Sequence, residues 1–146
     1  MAGYSGTPLP QKLGIKPGHV VLFVDAPDDF AKTLGALPEG VSAARASARS
    51  SADVDVMVAF VTSRAVLAKR FDGWKKRLRP SGGLWIGWPK KASGMKTDLT
   101  EDVVRELALA KGLVDNKVCA IDETWSGLRL VYRLSDRPAT KARTAH

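Results

Sequence analysis

Apolar residues along the chain fall into blocks of two kinds. The first kind is nearly continuous: Val20-Val21-Leu22-Phe23-Val24, entered through His19 behind a Pro17-Gly18 turn, and Val54-Asp55-Val56-Met57-Val58-Ala59-Phe60-Val61. Runs with so little polar alternation read as parallel strands buried on both faces, over 19–25 and 54–61. The second kind recurs at helical spacing. Leu67, Phe71, Trp74 and Leu78 make one stripe of a helix over 64–79, and Lys69, Arg70, Lys75, Lys76 and Arg77 make its other face.

Turn residues set the remaining boundaries. Asp28 or Asp29 is placed to cap a short helix running to about residue 37, which Pro38-Glu39-Gly40 ends. A short edge strand is expected over 41–45, then a small-residue loop to Asp53. Pro80-Ser81-Gly82-Gly83 is expected to stop the long helix and lead into a strand over 82–88. Beyond the basic loop Lys90 to Lys96, Thr100 starts a helix carrying Val103, Val104, Leu107 and Ala108, with Asp98, Glu101 and Asp102 at its positive end. Gly112 ends it. Strands over 114–124 and 128–134 are joined by Trp125-Ser126-Gly127, a link of hairpin length. Strands alternating with helices predict a three-layer, Rossmann-like α/β sandwich with a mostly parallel sheet and a C-terminal antiparallel hairpin. Residues 1–18 are expected to pack on it as an extension, 19–134 to form the single domain, and 135–146 to be a disordered basic tail.

Two turns carry a resemblance. Leu13-Gly14-Ile15-Lys16-Pro17-Gly18 leads into the first strand, and Leu78-Arg79-Pro80-Ser81-Gly82-Gly83-Leu84 follows a helix and precedes a strand. Both are similar to turns of class I methyltransferases, whose sheet also ends in a hairpin with an antiparallel last strand. With the six predicted strands numbered along the chain, the resemblance implies the spatial order 2-1-3-4-6-5, the sixth strand antiparallel to the rest. Gly3-Tyr4-Ser5-Gly6-Thr7-Pro8-Leu9, Trp88-Pro89-Lys90-Lys91-Ala92-Ser93-Gly94 and Asp122-Glu123-Thr124-Trp125-Ser126-Gly127-Leu128 resemble a narrower group, the uncharacterised bacterial family catalogued as domain of unknown function 3052. That likeness implies no activity.

Methyltransferases of this class carry a glycine-rich turn after the first strand, where the backbone approaches the cofactor without a Cβ in the way. Here the turn is Asp25-Ala26-Pro27-Asp28-Asp29. Proline lacks a donor and three carboxylates repel a carboxylate-bearing ligand. Val41 to Arg45 offers no acid for a ribose. The expectation is that neither a methyl donor nor a dinucleotide binds in the usual place, and no cofactor is assigned.

Composition narrows the remaining classes. The longest apolar runs fall far short of the roughly 20 residues a membrane helix needs. Met1 to Gln11 has no basic stretch followed by an apolar core, so the cytoplasm is the expected location. One cysteine, Cys119, excludes an internal disulfide, and with only His19 and His146 as imidazoles a transition-metal site is not expected. His19 is expected to be a turn residue and Cys119 a small core residue. No nucleophile–base triad can be assembled from this set.

The net charge of +8 is concentrated: residues 64–96 hold ten Lys or Arg against one acid, Asp72. Two functional readings use that surplus. In a parallel sheet, ligands bind outside the carboxyl ends of the strands, where the order reverses. Asp25, Ser63, Arg64, Trp88, Lys90, Lys91, Ser93 and Trp125 are all expected on that rim. Cations, hydroxyls, an indole and a helix N-terminus converging there suit a phosphate- or carboxylate-bearing small molecule, or an acidic partner protein. The leading expectation is therefore a non-catalytic binding or regulatory domain. The rival is weak, sequence-nonspecific nucleic-acid binding through Lys69, Arg70, Lys76 and Arg77, and the plain alternative is a solvated helix face. Catalysis with Asp25 or Glu123 as a general base ranks last, because no partner residue stands beside either.

Overall fold

In the computed structural model, the six strands make one sheet: β1 (Val20–Val24), β2 (Ser42–Arg45), β3 (Val54–Phe60), β4 (Leu78–Pro89), β5 (Leu113–Ala120) and β6 (Trp125–Tyr132). Their order is β2-β1-β3-β4-β6-β5. β1 pairs parallel with β2 and β3, β3 pairs parallel with β4, and β6 runs antiparallel to both β4 and β5. Order and orientation match the sequence-based expectation. The structure describes residues 7–45 and 53–136; the loop expected after the edge strand, and the tail from residue 137 onward, lie outside the described residues.

Alternate residues of the central strands feed two cores, as the period of two requires. Leu22, Val24, Met57, Ala59, Leu84 and Ile86 face α3 (Arg64–Arg77) and α4 (Glu101–Ala110), packing on Leu67, Phe71, Trp74, Val104 and Ala108. Val21, Phe23, Val56, Val58, Phe60 and Trp85 face the other way. They pack on Leu9 from α1 (Leu9–Lys12), Leu13 and Ile15 just beyond it, and Phe30 and Leu34 from α2 (Phe30–Leu34). Every residue of β3 is buried, because this strand has a layer on each side. The Trp85 indole N–H donates to the Leu13 carbonyl at 3.0 Å, pinning the N-terminal segment to the sheet.

Three boundaries differ from expectation, each for a local reason. α2 stops at Leu34 rather than near residue 37, because Gly35 at φ 73° turns the chain away; Asp29 stands at its N-cap position without a side-chain hydrogen bond. Pro80-Ser81-Gly82-Gly83 is not a stop between helix and strand. α3 ends at Arg77 and β4 starts at once, Leu78 pairing with Val54 and Gly83 with Val56, so residues 79–82 bulge opposite the single residue Asp55. The hairpin turn lies earlier than Trp125-Ser126-Gly127. Asp122 Oδ1 accepts the N–H groups of both Thr124 and Trp125 at 2.8 Å, closing the turn before β6 begins. Gly127 is a mid-strand residue paired with Gly87, and the Ile121 side chain sits over both: a Cβ on either would lie 3.0–3.1 Å from Ile121 Cδ1.

Candidate functional site: the carboxyl rim of β3 and β4

A cavity of about 930 Å³ opens beyond the carboxyl ends of β3 and β4. Its wall is the 88–101 segment, with Thr62 after β3 and Ser126 at the start of β6. This long segment is tied down rather than loose. Thr97 Oγ1 donates to the Thr62 carbonyl at 2.7 Å, Ser93 Oγ donates to the Lys90 carbonyl at 2.6 Å, and Lys90 N–H donates to the Thr124 carbonyl at 2.8 Å. Gly94, at φ 76°, closes the 3₁₀ turn Lys91–Ser93 in a conformation that favours glycine.

The expected rim set is only partly brought together. Trp88, Lys90 and Lys91 line the cavity, and Lys96, Met95 and Leu99 join them. Lys90 Nζ donates to the Asp122 carbonyl at 2.7 Å. The ammonium groups of Lys91 and Lys96 have no partner among the described residues. Ser93 is a turn residue, its Oγ also accepting from Met95 N–H at 3.2 Å. Ser63 caps α3, accepting from Val66 N–H at 3.4 Å. Arg64 starts the same helix, and its backbone N–H donates to Asp98 Oδ1 at 2.7 Å, so a carboxylate of the chain itself already sits at that positive helix end. Lys96 and Asp98 escape sequence reading because only the folded loop returns them to the rim.

Trp125 is buried, as the first residue of a strand and not the middle of a turn. Its ring lies edge-to-face with Phe60 at 5.1 Å, Phe60 with Phe30 at 5.0 Å, and Phe30 with Phe23 at 5.2 Å. This aromatic row starts on β1, passes through α2 and β3 and ends on β6. Asp25 adopts φ 55°, uncommon for a residue with a side chain, and its carboxylate pairs with Arg70 at 2.9 Å.

The α3 face differs from a row of free cations. Lys69 and Lys76 are exposed, but Arg70 is held by Asp25 and stacks over Trp74 at 4.9 Å, and Arg77 is half-buried. Lys75, beside them, donates to the Lys111 carbonyl at 2.7 Å. His19 lies at the amino end of β1, its Nδ1 accepting from Lys16 N–H at 3.1 Å. Cys119 is half-buried, and desolvation pushes its thiol pKa above the ordinary value, against the opposing pull of Lys12, Lys117 and Lys90. Glu123 is exposed. No three His, Cys, Asp or Glu side chains gather as a metal set among the described residues, and no described helix is long and apolar enough to cross a membrane.

Comparison with solved structures places the fold. A SAM-dependent methyltransferase from Aquifex aeolicus superposes with a TM-score of 0.58 at 16% identity, over 88% of this chain and 89% of that one. Ribosomal protein L11 methylase from Lactobacillus delbrueckii subsp. bulgaricus gives 0.57 at 12% identity over 86% and 75%. Aeropyrum pernix fibrillarin, solved with natively bound S-adenosyl-L-methionine, gives 0.52 at 15% identity over 88% and 70%. The chain therefore has the methyltransferase-like Rossmann fold. No family model and no curated protein matches the sequence, so the narrower resemblance to domain of unknown function 3052 gains no support.

The fold implies S-adenosylmethionine, and the turn after β1 does not fit it. Pro27 has no N–H, and Phe30 N–H already closes the turn onto the Pro27 carbonyl at 3.0 Å, while the Phe30 ring packs in the core edge-to-face with Phe23 and Phe60. None of residues 25–29 lines the rim cavity, which lies beyond β3, β4 and β6 instead.

Proposed function

We propose that this protein is a non-catalytic binding domain that takes an anionic small molecule into the cavity beyond β3 and β4. One observation carries the reading: Lys91 and Lys96 line that cavity without partners among the described residues, whereas both acids in its wall are engaged. Asp98 holds Arg64 N–H, and Glu101 is ion-paired with Arg105, which Asp102 and Asp115 also hold. With Lys90, Lys91 and Lys96 against Asp98 and Glu101, the net charge of the wall is positive, which favours a phosphate or carboxylate group. Trp88, Pro89, Met95 and Leu99 add apolar wall for the rest of such a ligand.

The two carboxylates in the wall are both held, Asp98 by Arg64 N–H and Glu101 by Arg105, which supports binding over general-base catalysis. An acidic partner protein would use the same lysines. The nucleic-acid reading is weaker, because of its four residues Arg70 is ion-paired with Asp25 and Arg77 is half-buried, which leaves Lys69 and Lys76 as the exposed pair.

Calorimetric titration with adenosine monophosphate, which joins a phosphate through ribose to a flat aromatic base, tests the reading. Saturable binding weakened at least about tenfold by the double substitution K91E/K96E is expected. Equal affinity in the double variant would remove the rim from consideration.

A further inference from the structure

We propose that a second cavity, at the amino-terminal end of the sheet and walled by Lys16, Arg79 and Arg129, binds a small phosphate-bearing anion. This cavity of about 400 Å³ is separate from the rim and shares no residue with it. Gly14, Pro17, Gly18, His19, Asp55, Val56 and Ser81 complete its wall.

The local fold is built around the cations. Because Asp55 alone faces residues 79–82, the bulge puts Arg79 and Ser81 in the cavity wall. Gly82 permits the bulge, since a Cβ there would stand 2.6 Å from the Asp55 carbonyl oxygen. Gly83 is where Arg129 from β6 crosses: its Nε occupies the space a side chain would need. The two glycines thus seat an arginine and a bulge rather than stop a helix.

Charge decides what enters. Asp55 is the single carboxylate in the wall, and it is nearly buried. Its Oδ2 accepts Val20 N–H at 2.9 Å, and Oδ1 lies 3.6 Å from Arg79 Nε. Arg79 Nε–H is buried and has no acceptor within hydrogen-bond distance. Three cationic side chains against one carboxylate leave a positive cavity. Two of them are guanidinium forks, whose geometry matches phosphate oxygens. The volume holds a phosphate group and a small body, and a duplex does not fit it.

Amide-resolved NMR with inorganic pyrophosphate tests the site. Shifts are expected at the amides of Lys16, Gly18, His19, Val20, Arg79, Ser81, Gly82 and Gly83, saturating near or below about 1 mM. K16E, a change at an exposed turn residue whose side chain has no hydrogen bond to lose, should weaken that response about tenfold, and K91E/K96E should leave it unchanged. R79Q provides a second variant in the wall, expected to weaken it likewise. Absence of shifts at those amides, or a response indifferent to both K16E and R79Q, would overturn the proposal. So would tighter binding of a short single-stranded oligonucleotide at the same amides, which would make the ligand a polymer. Loss of adenosine monophosphate binding at the rim would leave these outcomes untouched.

Discussion

Asp98 Oδ1 accepts the backbone N–H of Arg64 at 2.7 Å, so the first turn of α3 carries its own anion. The positive end of a helix, ready to receive a ligand phosphate, is here used to anchor the loop that walls the rim cavity. Asp98→Ala should cost about 0.5–2 kcal/mol in urea unfolding, the range for losing a helix-end carboxylate or cap. It should also tighten adenosine monophosphate binding, because a negative charge leaves the wall and a helix N-terminus is uncovered. Weaker ligand binding at unchanged stability would contradict this role.

The Trp85 indole and the Leu13 carbonyl form a buried hydrogen bond, with both side chains inaccessible to solvent. Trp85→Phe keeps the ring packing but leaves that carbonyl without its donor, at a cost of about 1–3 kcal/mol. Faster hydrogen exchange at residues 9–15, with α3 unchanged, is the expected signature.

Gly82→Ala is expected to be more damaging than Gly83→Ala. At 82 the new methyl meets the Asp55 backbone carbonyl, which can move only by distorting β3; at 83 it meets the end of the flexible Arg129 side chain. Denaturation midpoints should separate the two, with a loss of about 1–3 kcal/mol for Gly82→Ala. The reverse ranking would mean that the bulge is softer than the guanidinium seat.

Burial raises the pKa of the Cys119 thiol and that of the Tyr132 hydroxyl above their ordinary values. Both groups are neutral when protonated, and the fold favours that form. The stability they contribute is therefore complete below the ordinary thiol and phenol pKa values and declines as pH rises through the raised folded values. Alkylation of Cys119 by iodoacetamide at pH 8 should be slower in the native protein than in urea. Equal rates would show that the thiol is neither shielded nor shifted.

The sheet was legible because its signals are local and strong. Nearly continuous apolar runs at Val20–Val24 and Val54–Phe60 mark central strands, and the Leu67, Phe71 and Trp74 stripe marks the helix that connects β3 to β4. Glycines misled, since a turn glycine and a glycine under close contact look alike in sequence. Gly127 lies beneath Ile121, and Gly82 and Gly83 serve a bulge and Arg129. The shifted hairpin turn then buried Trp125, taking the indole off the expected rim. The rim lysines at 90 and 91 were visible as a basic loop. Lys96 gained its place through Thr97 and Asp98, whose contacts with Thr62 and Arg64 span more than thirty positions and leave no local trace.

The relation between a methyltransferase-like fold and the turn Asp25 to Asp29 is the center of the account. That turn carries Pro27 and three carboxylates and no glycine, its Phe30 N–H is used on the Pro27 carbonyl, and the open cavity lies beyond β3 and β4. Calorimetric titration of the full chain with S-adenosylmethionine is the most direct test. No saturable heat is expected at ligand concentrations up to about 100 μM, whereas a dissociation constant tighter than about 10 μM, roughly −7 kcal/mol, would show that the turn still accepts the cofactor and would contradict the account.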